Sequence, residues 1–270
     1  MGSVPADDEA VAAFARDGVV CLRSVLDGEQ VAAAARAIDA VLARPGPLAQ
    51  VASAADDPGA FTEDFCRWRE IPEIERLARY SGVPAAAAAL MATPQVRLYH
   101  DHVLVKEGGT RQRTPWHQDQ PYYNVDGPGV SAWIPVDPVP EDGCLELVAA
   151  SHRGPWLMPR TFLAKEARWF PEGSLAELPD IDAAPDRYDI RRYELRPGDA
   201  IFFDFLTVHG APGFPHRGRR RILSLRYLSA AARHAPRAWR TSPPFDDLHA
   251  ELPAGADMDH SLFPVVWPAS

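Results

Sequence analysis

The hydrophobic positions change their period once along this chain. Up to about residue 94 they recur at three- and four-residue intervals, and from residue 95 they fall into short β-prone runs. Asp7 is placed to cap a first helix whose apolar residues Val11, Phe14 and Ala15 recur at helical spacing, and Asp17-Gly18 ends it. Val19-Val20-Cys21-Leu22 follows as a short buried strand. Asp27 caps a second helix from about Glu29 to Leu42, with Val31, Ala34, Ala35, Ile38 and Leu42 along one face, and Arg44-Pro45-Gly46-Pro47 stops it. Two more helical stretches are predicted near Pro72 to Tyr80 and Pro84 to Met91.

The later runs are Val96 to Val105, Val130 to Pro135, Cys144 to Val148, Tyr188 to Leu195, Ala200 to Val208 and Ile222 to Leu228, each bounded by Gly or Pro. Such spacing predicts an antiparallel barrel or two-sheet jelly roll, so the fold class is mainly β with flanking helices. Residues 155 to 185 are aromatic and poorly periodic, as lids and binding loops are. The expected organisation is a single domain over residues 1–270. A helical part, 1–94, packs on a jelly-roll core, 95–230, with the lid at about 155–185, and 231–270 form a C-terminal extension.

Composition narrows the partners. Hydrophobic residues at 46% and charged residues at 24% are ordinary for a globular protein, and a net charge of −9 argues against nucleic acid or an anionic membrane. A small-molecule substrate is the expected partner, and oligomeric state is left open. Cys21, Cys66 and Cys144 are far apart and in no C-x-x-C spacing, which fits a reducing compartment and neither a disulfide framework nor a zinc knuckle. The acidic start Asp7-Asp8-Glu9 lacks the form of a secretory signal, and Ala85 to Met91 is too short to span a bilayer. The expected location is cytoplasmic.

The candidate chemistry lies in Thr114-Pro115-Trp116-His117-Gln118-Asp119. On a strand, residues i and i+2 share a face, so His117 and Asp119 can aim an imidazole and a carboxylate at one point. A third ligand must come from a distant strand, and His209, at the end of the apolar run Ile201 to Val208, is the best candidate. Two histidines and one carboxylate on one face of an octahedron form the preferred site of non-haem Fe(II) oxygenases. Arg220, eleven residues after His209, shares a strand face with Ile222 and Ser224. A guanidinium fork beside a hydroxyl suits the distal carboxylate of a dicarboxylate co-substrate, and Arg219 and Arg221 would point the other way. His100 and His102 form a rival metal pair at the same two-residue spacing, with no further ligand set to accompany them; the alternative is strand residues with hydrogen-bonded rings. Tyr122, Tyr123 and, in the long loop, Arg160 are candidates for substrate contact, weighed against plain aromatic packing for the tyrosines. Phe162 and Trp169 in that loop are undecided in the same way.

Together these residues resemble the phytanoyl-CoA dioxygenase family of Fe(II)/2-oxoglutarate-dependent oxygenases. The resemblance rests on His117-x-Asp119, His209 and Arg220. It extends to Asp17-Gly18-Val19-Val20, Trp133, Gly143-Cys144-Leu145, Ser151-His152-Arg153 and Pro197-Gly198-Asp199, from about residue 10 to 230. It implies a double-stranded β-helix (a cupin-like jelly roll) that holds Fe(II) on His117, Asp119 and His209. It also implies 2-oxoglutarate and O2 as co-substrates, with Arg220 on the distal carboxylate and Trp133 bordering that pocket. The implied activity is oxidation of a small organic metabolite or natural-product intermediate with release of succinate and CO2. A carboxylate at Asp119 favours hydroxylation over halogenation. Two other readings use the same residues: a cupin-like metal-binding module without oxygenase activity, indifferent to Arg220, and a zinc hydrolase, for which no general base is placed by sequence.

Overall fold

A computed structural model of the 270-residue chain describes residues 6–158, 170–171 and 173–268. The helices are α1 (Asp8–Asp17), α2 (Gly28–Ala43), α3 (Pro72–Tyr80), α4 (Gly82–Leu90) and α5 (Leu248–Glu251). The first strands are β1 (Val19–Leu22), β2 (Gln50–Val51), β3 (Phe61–Phe65), β4 (Val96–Glu107), β5 (Thr114–His117), β6 (Val125–Asp126) and β7 (Gly129–Pro135). There follow β8 (Glu146–Val148), β9 (Ile190–Arg191), β10 (Ala200–Asp204), β11 (His209–Ala211), β12 (Arg219–Ser229), β13 (Arg233–His234) and β14 (Val265–Trp267). The major sheet runs β1-β10-β7-β12-β4-β3-β2, with β14 also paired to β4, and the minor sheet runs β5-β11-β8-β9. Every strand pairing within these two sheets is antiparallel, and the two sheets form the jelly roll.

Alternation along the strands decides which residues face which layer. Ala132, Ile134, Leu223, Leu225, Val103 and Val105 point outward, into one cluster with Ala34, Ile38, Ile74 and Leu77 of the helices. Trp133, Ile201, Phe203 and Ile222 point inward, against Leu145, Leu147 and Ala211 on the minor-sheet side. The outer face thus carries the apolar load, which leaves room for polar side chains on the inner face.

The expected helix caps are present. Asp7 accepts from the Ala10 amide at 2.8 Å, and Asp27 forms a capping box with Gln30. Gly18 ends α1 at φ 71°, and a Cβ there would lie 2.3 Å from His152 Nδ1, so both backbone and space demand glycine. Its carbonyl accepts from Thr207 Oγ1 at 2.7 Å, which ties the end of α1 to the turn before His209.

Four strand predictions change. The run Ala200 to Val208 is two pieces, because Asp204 accepts from the Leu206 amide at 2.8 Å and turns the chain, so that His209 opens a strand of the other sheet. Only Glu146–Val148 of the run from Cys144 and only Ile190–Arg191 of the run from Tyr188 are paired. The N-terminal part is not purely helical beyond β1, since Phe61–Phe65 joins the major sheet. Its Glu63 and Asp64 are both buried, and two carboxylates in five residues hide a strand from hydropathy. The extension contributes β14 at the edge of β4.

Cys21 and Cys144 are free thiols pushed up to about 11 by burial, and burial raises Cys66 as well. The native protein is expected to react with Ellman's reagent at pH 8 at least about a hundredfold slower than a free cysteine, because the thiolate is the nucleophile. All three thiols should react after unfolding in guanidinium. Rapid native labelling would contradict this packing.

Candidate metal centre and co-substrate pocket

The two candidate histidines are direct cross-strand partners. β11 pairs with β5 so that His209 lies opposite His117, and their ring centroids are 4.2 Å apart. Asp119 arrives differently from the expectation. β5 ends at His117, and Asp119 has helical dihedrals (φ −73°, ψ −42°) at the start of the 3-10 turn Gln120–Tyr122. Strand alternation therefore does not bring His117 and Asp119 together; a break in the strand does. Asp119 Oδ1 lies 3.7 Å from Nε2 of both histidines, and the donor atoms of the three residues all lie within 4.8 Å of one another.

The surroundings prepare these atoms as ligands. His117 Nδ1 lies 2.8 Å from the Pro115 carbonyl and His209 Nδ1 2.9 Å from the Thr207 carbonyl. A carbonyl only accepts, so each Nδ1 carries the proton and each Nε2 turns its lone pair to the shared point. Burial, then the neighbouring His117, pushes His209 down to about 3, so its imidazole is neutral at physiological pH. Burial alone would raise Asp119, yet Arg226 and the two histidines hold its carboxyl well below the usual carboxylate range. Its Oδ2 accepts from Ser131 Oγ at 2.7 Å and lies 3.7 Å from Arg226 Nε, which leaves Oδ1 for the shared point. An N2O donor set of two imidazoles with fixed tautomers and one carboxylate fits a divalent first-row metal. Among the described residues it is the one such cluster of three or more potential ligands.

Gln118, between the two ligands, is buried and holds the site's rim. It donates to the Leu206 carbonyl at 2.8 Å and the Pro155 carbonyl at 3.2 Å, and accepts from the Leu157 amide at 2.8 Å. Ser131→Ala is expected to weaken Fe(II) affinity about tenfold, within the range for losing a partner behind a ligating group. An anaerobic chelator-competition titration measures this, and an unchanged affinity would mean that Arg226 alone orients Asp119.

Arg220 and Ser224 lie on the inner face of β12 as expected, while Arg219 and Arg221 point outward to Asp39, and Arg221 also to Asp137. The Arg220 guanidinium is buried, lies 5.5 Å from the Trp133 ring centroid and donates to the Gly143 carbonyl. It has no carboxylate partner among the described residues, and its Nε is buried without a hydrogen bond. Burial pulls it down to about 10, still cationic at neutral pH. Ser224, directly opposite Trp133 in register, also has a buried hydroxyl with no hydrogen-bond partner among the described residues. A buried cation and a buried hydroxyl left open on one strand face are the polar atoms a ligand carboxylate would complete.

Tyr122 is half-buried, its ring edge-on to His117 at 5.9 Å. Tyr123 is buried in an aromatic cluster with Tyr99 and Phe205, and its hydroxyl accepts from Arg226 at 3.3 Å, so it is first a packing residue. Arg160, Phe162 and Trp169 lie outside the described residues. His100 and His102 are buried apart from the cluster of ligands. Sequence reasoning missed Ser131, Gln118, Glu63 and Arg226. The signal for Arg226 was available, since the alternation through 220, 222 and 224 continues to 226.

No helix among the described residues is long and apolar enough to cross a membrane. The sequence model of the phytanoyl-CoA dioxygenase (PhyH) family matches residues 14–221. A probable phytanoyl-CoA dioxygenase of Caenorhabditis elegans is 25% identical over 194 residues, covering 67% of this chain and 54% of that protein. A methylphosphonate hydroxylase of Gimesia maris is 28% identical over 159 residues, covering 58% of this chain and 55% of its own. The chain spans about half the length of the curated relatives it matches. In fold it is similar to the non-heme alpha ketoglutarate dependent carbocyclase SnoK from nogalamycin biosynthesis, with a TM-score of 0.74 at 23% identity over 96% of both chains. With a family match across most of its length, the jelly roll and the His-Asp-His cluster inside it, the chain belongs to the phytanoyl-CoA dioxygenase family of iron- and 2-oxoglutarate-dependent oxygenases.

Proposed function

We propose that this protein is a hydroxylase of a small organic metabolite or natural-product intermediate, dependent on Fe(II), 2-oxoglutarate and O2. The observation that carries the reading is the pairing of a preformed N2O ligand set with a buried Arg220 that has no carboxylate partner among the described residues. His117, Asp119 and His209 would hold the iron, and Arg220 with Ser224 would take the distal carboxylate of 2-oxoglutarate beside Trp133. Bound iron supplies O2 activation coupled to decarboxylation of 2-oxoglutarate to succinate and CO2. The protein's part is positional. Nδ1–H bonds to Pro115 and Thr207 hold the two imidazoles, and Ser131 and Arg226 hold the carboxylate. The apolar inner wall of Ile201, Phe203 and Ile222 excludes water.

Hydroxylation is favoured over halogenation because Asp119 would supply a carboxylate ligand where halogenation needs room for a halide. A methylphosphonate hydroxylase among the relatives supports the same outcome. The fold alone leaves the outcome open, because structural neighbours include a carbocyclase and an epimerase. A substrate-panel assay under 18O2, reading succinate and product mass together, tests the proposal. Hydroxylation adds one 18O to the product for each succinate formed. A product that loses two hydrogens, or keeps its mass, would replace hydroxylation by desaturation, ring closure or epimerisation.

A further inference from the structure

The inner face of β4 carries two imidazoles that the metal centre does not use. His100 and His102 lie two residues apart on this strand, so both rings leave the same face, about 7 Å apart along it. Register sets His100 opposite Arg226, itself opposite Ser131, and sets His102 opposite Ser224. The first row contains the two residues that hold Asp119. The second contains the hydroxyl assigned to the 2-oxoglutarate pocket. The pair of imidazoles therefore flanks the place where a substrate meets both.

Their nitrogens are arranged for a ligand. His100 is 1% exposed, and its Nδ1 lies 3.2 Å from the Asp101 carbonyl, so Nδ1 carries the proton and Nε2 offers a lone pair. That Nε2 is buried with no hydrogen-bond partner among the described residues. His102 Nε2 lies 3.1 Å from Glu63 Oε1, and the other Glu63 oxygen accepts from Gln50 at 3.0 Å. Phe65 stacks on the His102 ring at 3.9 Å, which fixes its plane. With Nε2 engaged by Glu63, Nδ1 is the ring nitrogen of His102 left open to a ligand, and it has no hydrogen bond among the described residues. The nearest cation on this wall, Arg226, is already engaged by Asp119 at 3.7 Å and the Tyr123 hydroxyl at 3.3 Å. Among the described residues the wall thus presents hydrogen-bond acceptors, and its other cation, Lys106 on the same face of β4, already donates to the Gln112 and Pro212 carbonyls at 2.7 and 2.8 Å. Tyr122, edge-on to His117 and packed against Phe170 at 5.9 Å, supplies an apolar surface at the same site.

We propose that His100 and the Glu63–His102 pair form a substrate-orienting wall, and that the substrate is a neutral small molecule whose hydroxyl groups donate to these two imidazoles. This rests on the oxygenase reading above and adds the substrate class to it.

The test uses the Fe(II)-loaded full chain with a panel of neutral polyols, cyclitols and glycosides beside acyl-CoA thioesters and free fatty acids. At least one hydroxyl-bearing compound is expected to raise succinate formation about tenfold or more above the substrate-free rate, and the thioesters and fatty acids are not. His100→Phe and His102→Phe are each expected to raise the KM for that compound about tenfold, the worth of one hydrogen bond, with partial recovery in His100→Gln and His102→Gln. The midpoint for 2-oxoglutarate, read anaerobically from the visible Fe(II)·2-oxoglutarate band, should move less than about twofold in these variants, since neither imidazole belongs to the ligand cluster or bonds Arg220. The proposal is overturned if only thioesters or fatty acids stimulate, if no hydroxyl-bearing compound does, if the Phe variants keep their KM, or if they shift the 2-oxoglutarate midpoint instead. Absence of the band in the wild-type protein marks failure of the oxygenase reading; a band without stimulation by hydroxyl-bearing compounds marks failure of this inference alone.

Discussion

Asp119→Ala is expected to reduce Fe(II) affinity and 2-oxoglutarate-dependent succinate formation by more than about a hundredfold, beyond the range for losing an outer partner of a ligand. Three effects converge on this residue. Its Oδ1 faces both imidazoles at 3.7 Å, its Oδ2 takes the Ser131 hydroxyl, and its charge offsets buried Arg226. Without it, a guanidinium that is 5% exposed faces the two imidazoles with no carboxylate between and would repel a divalent cation at the shared point. Asp119→Asn separates the contributions. It keeps the side-chain volume and an oxygen for Ser131 but loses the charge, so its iron affinity should fall between those of wild type and Asp119→Ala. Equal affinity in all three proteins, by anaerobic chelator competition, would remove Asp119 from the ligand set.

Arg220→Leu is expected to raise the KM for 2-oxoglutarate about a hundredfold or more, because truncating one partner of a buried charge pair costs about 2–5 kcal/mol. Fe(II) affinity without 2-oxoglutarate should change little, since Arg220 donates to Gly143 and packs on Trp133 and Phe214 rather than on the ligands. Arg220→Lys should recover only part of the loss, since a point charge does not reproduce a planar fork. Isothermal titration of 2-oxoglutarate into the Fe(II) protein measures the difference. An Arg220→Leu protein that binds 2-oxoglutarate normally would favour a metal-binding module that ignores this co-substrate.

Much of the site was legible because its residues sit in regular elements. The alternation that sent Arg220 and Ser224 inward and Arg219 and Arg221 outward is a backbone property of a strand, and β12 holds it across eleven residues. His117 and Asp119 were found for a partly wrong reason. The two-residue spacing suggested one strand face, whereas the chain leaves the strand after His117, and cross-strand pairing with His209 closes the cluster. Sequence holds no trace of that register, which depends on the Asp204 turn and the anchor at Gly18. β3 stayed hidden because Glu63 and Asp64 spend their charge inside, one on His102 and one on Arg67, and hydropathy reads buried carboxylates as loop. His100 and His102 were visible as a spaced pair, but their partners come from β3 and β12, some 40 and 120 residues away in sequence.

The central claim is that one cluster, His117, Asp119 and His209, holds iron while Arg220 holds 2-oxoglutarate beside it. Anaerobic titration of 2-oxoglutarate into the Fe(II)-loaded protein, followed by visible absorption, tests it most directly. A charge-transfer band that saturates at one 2-oxoglutarate per chain, is absent in Asp119→Ala and needs far more 2-oxoglutarate in Arg220→Leu is the predicted result. A folded, iron-loaded protein with no such band, or a band unaffected by both substitutions, would contradict it.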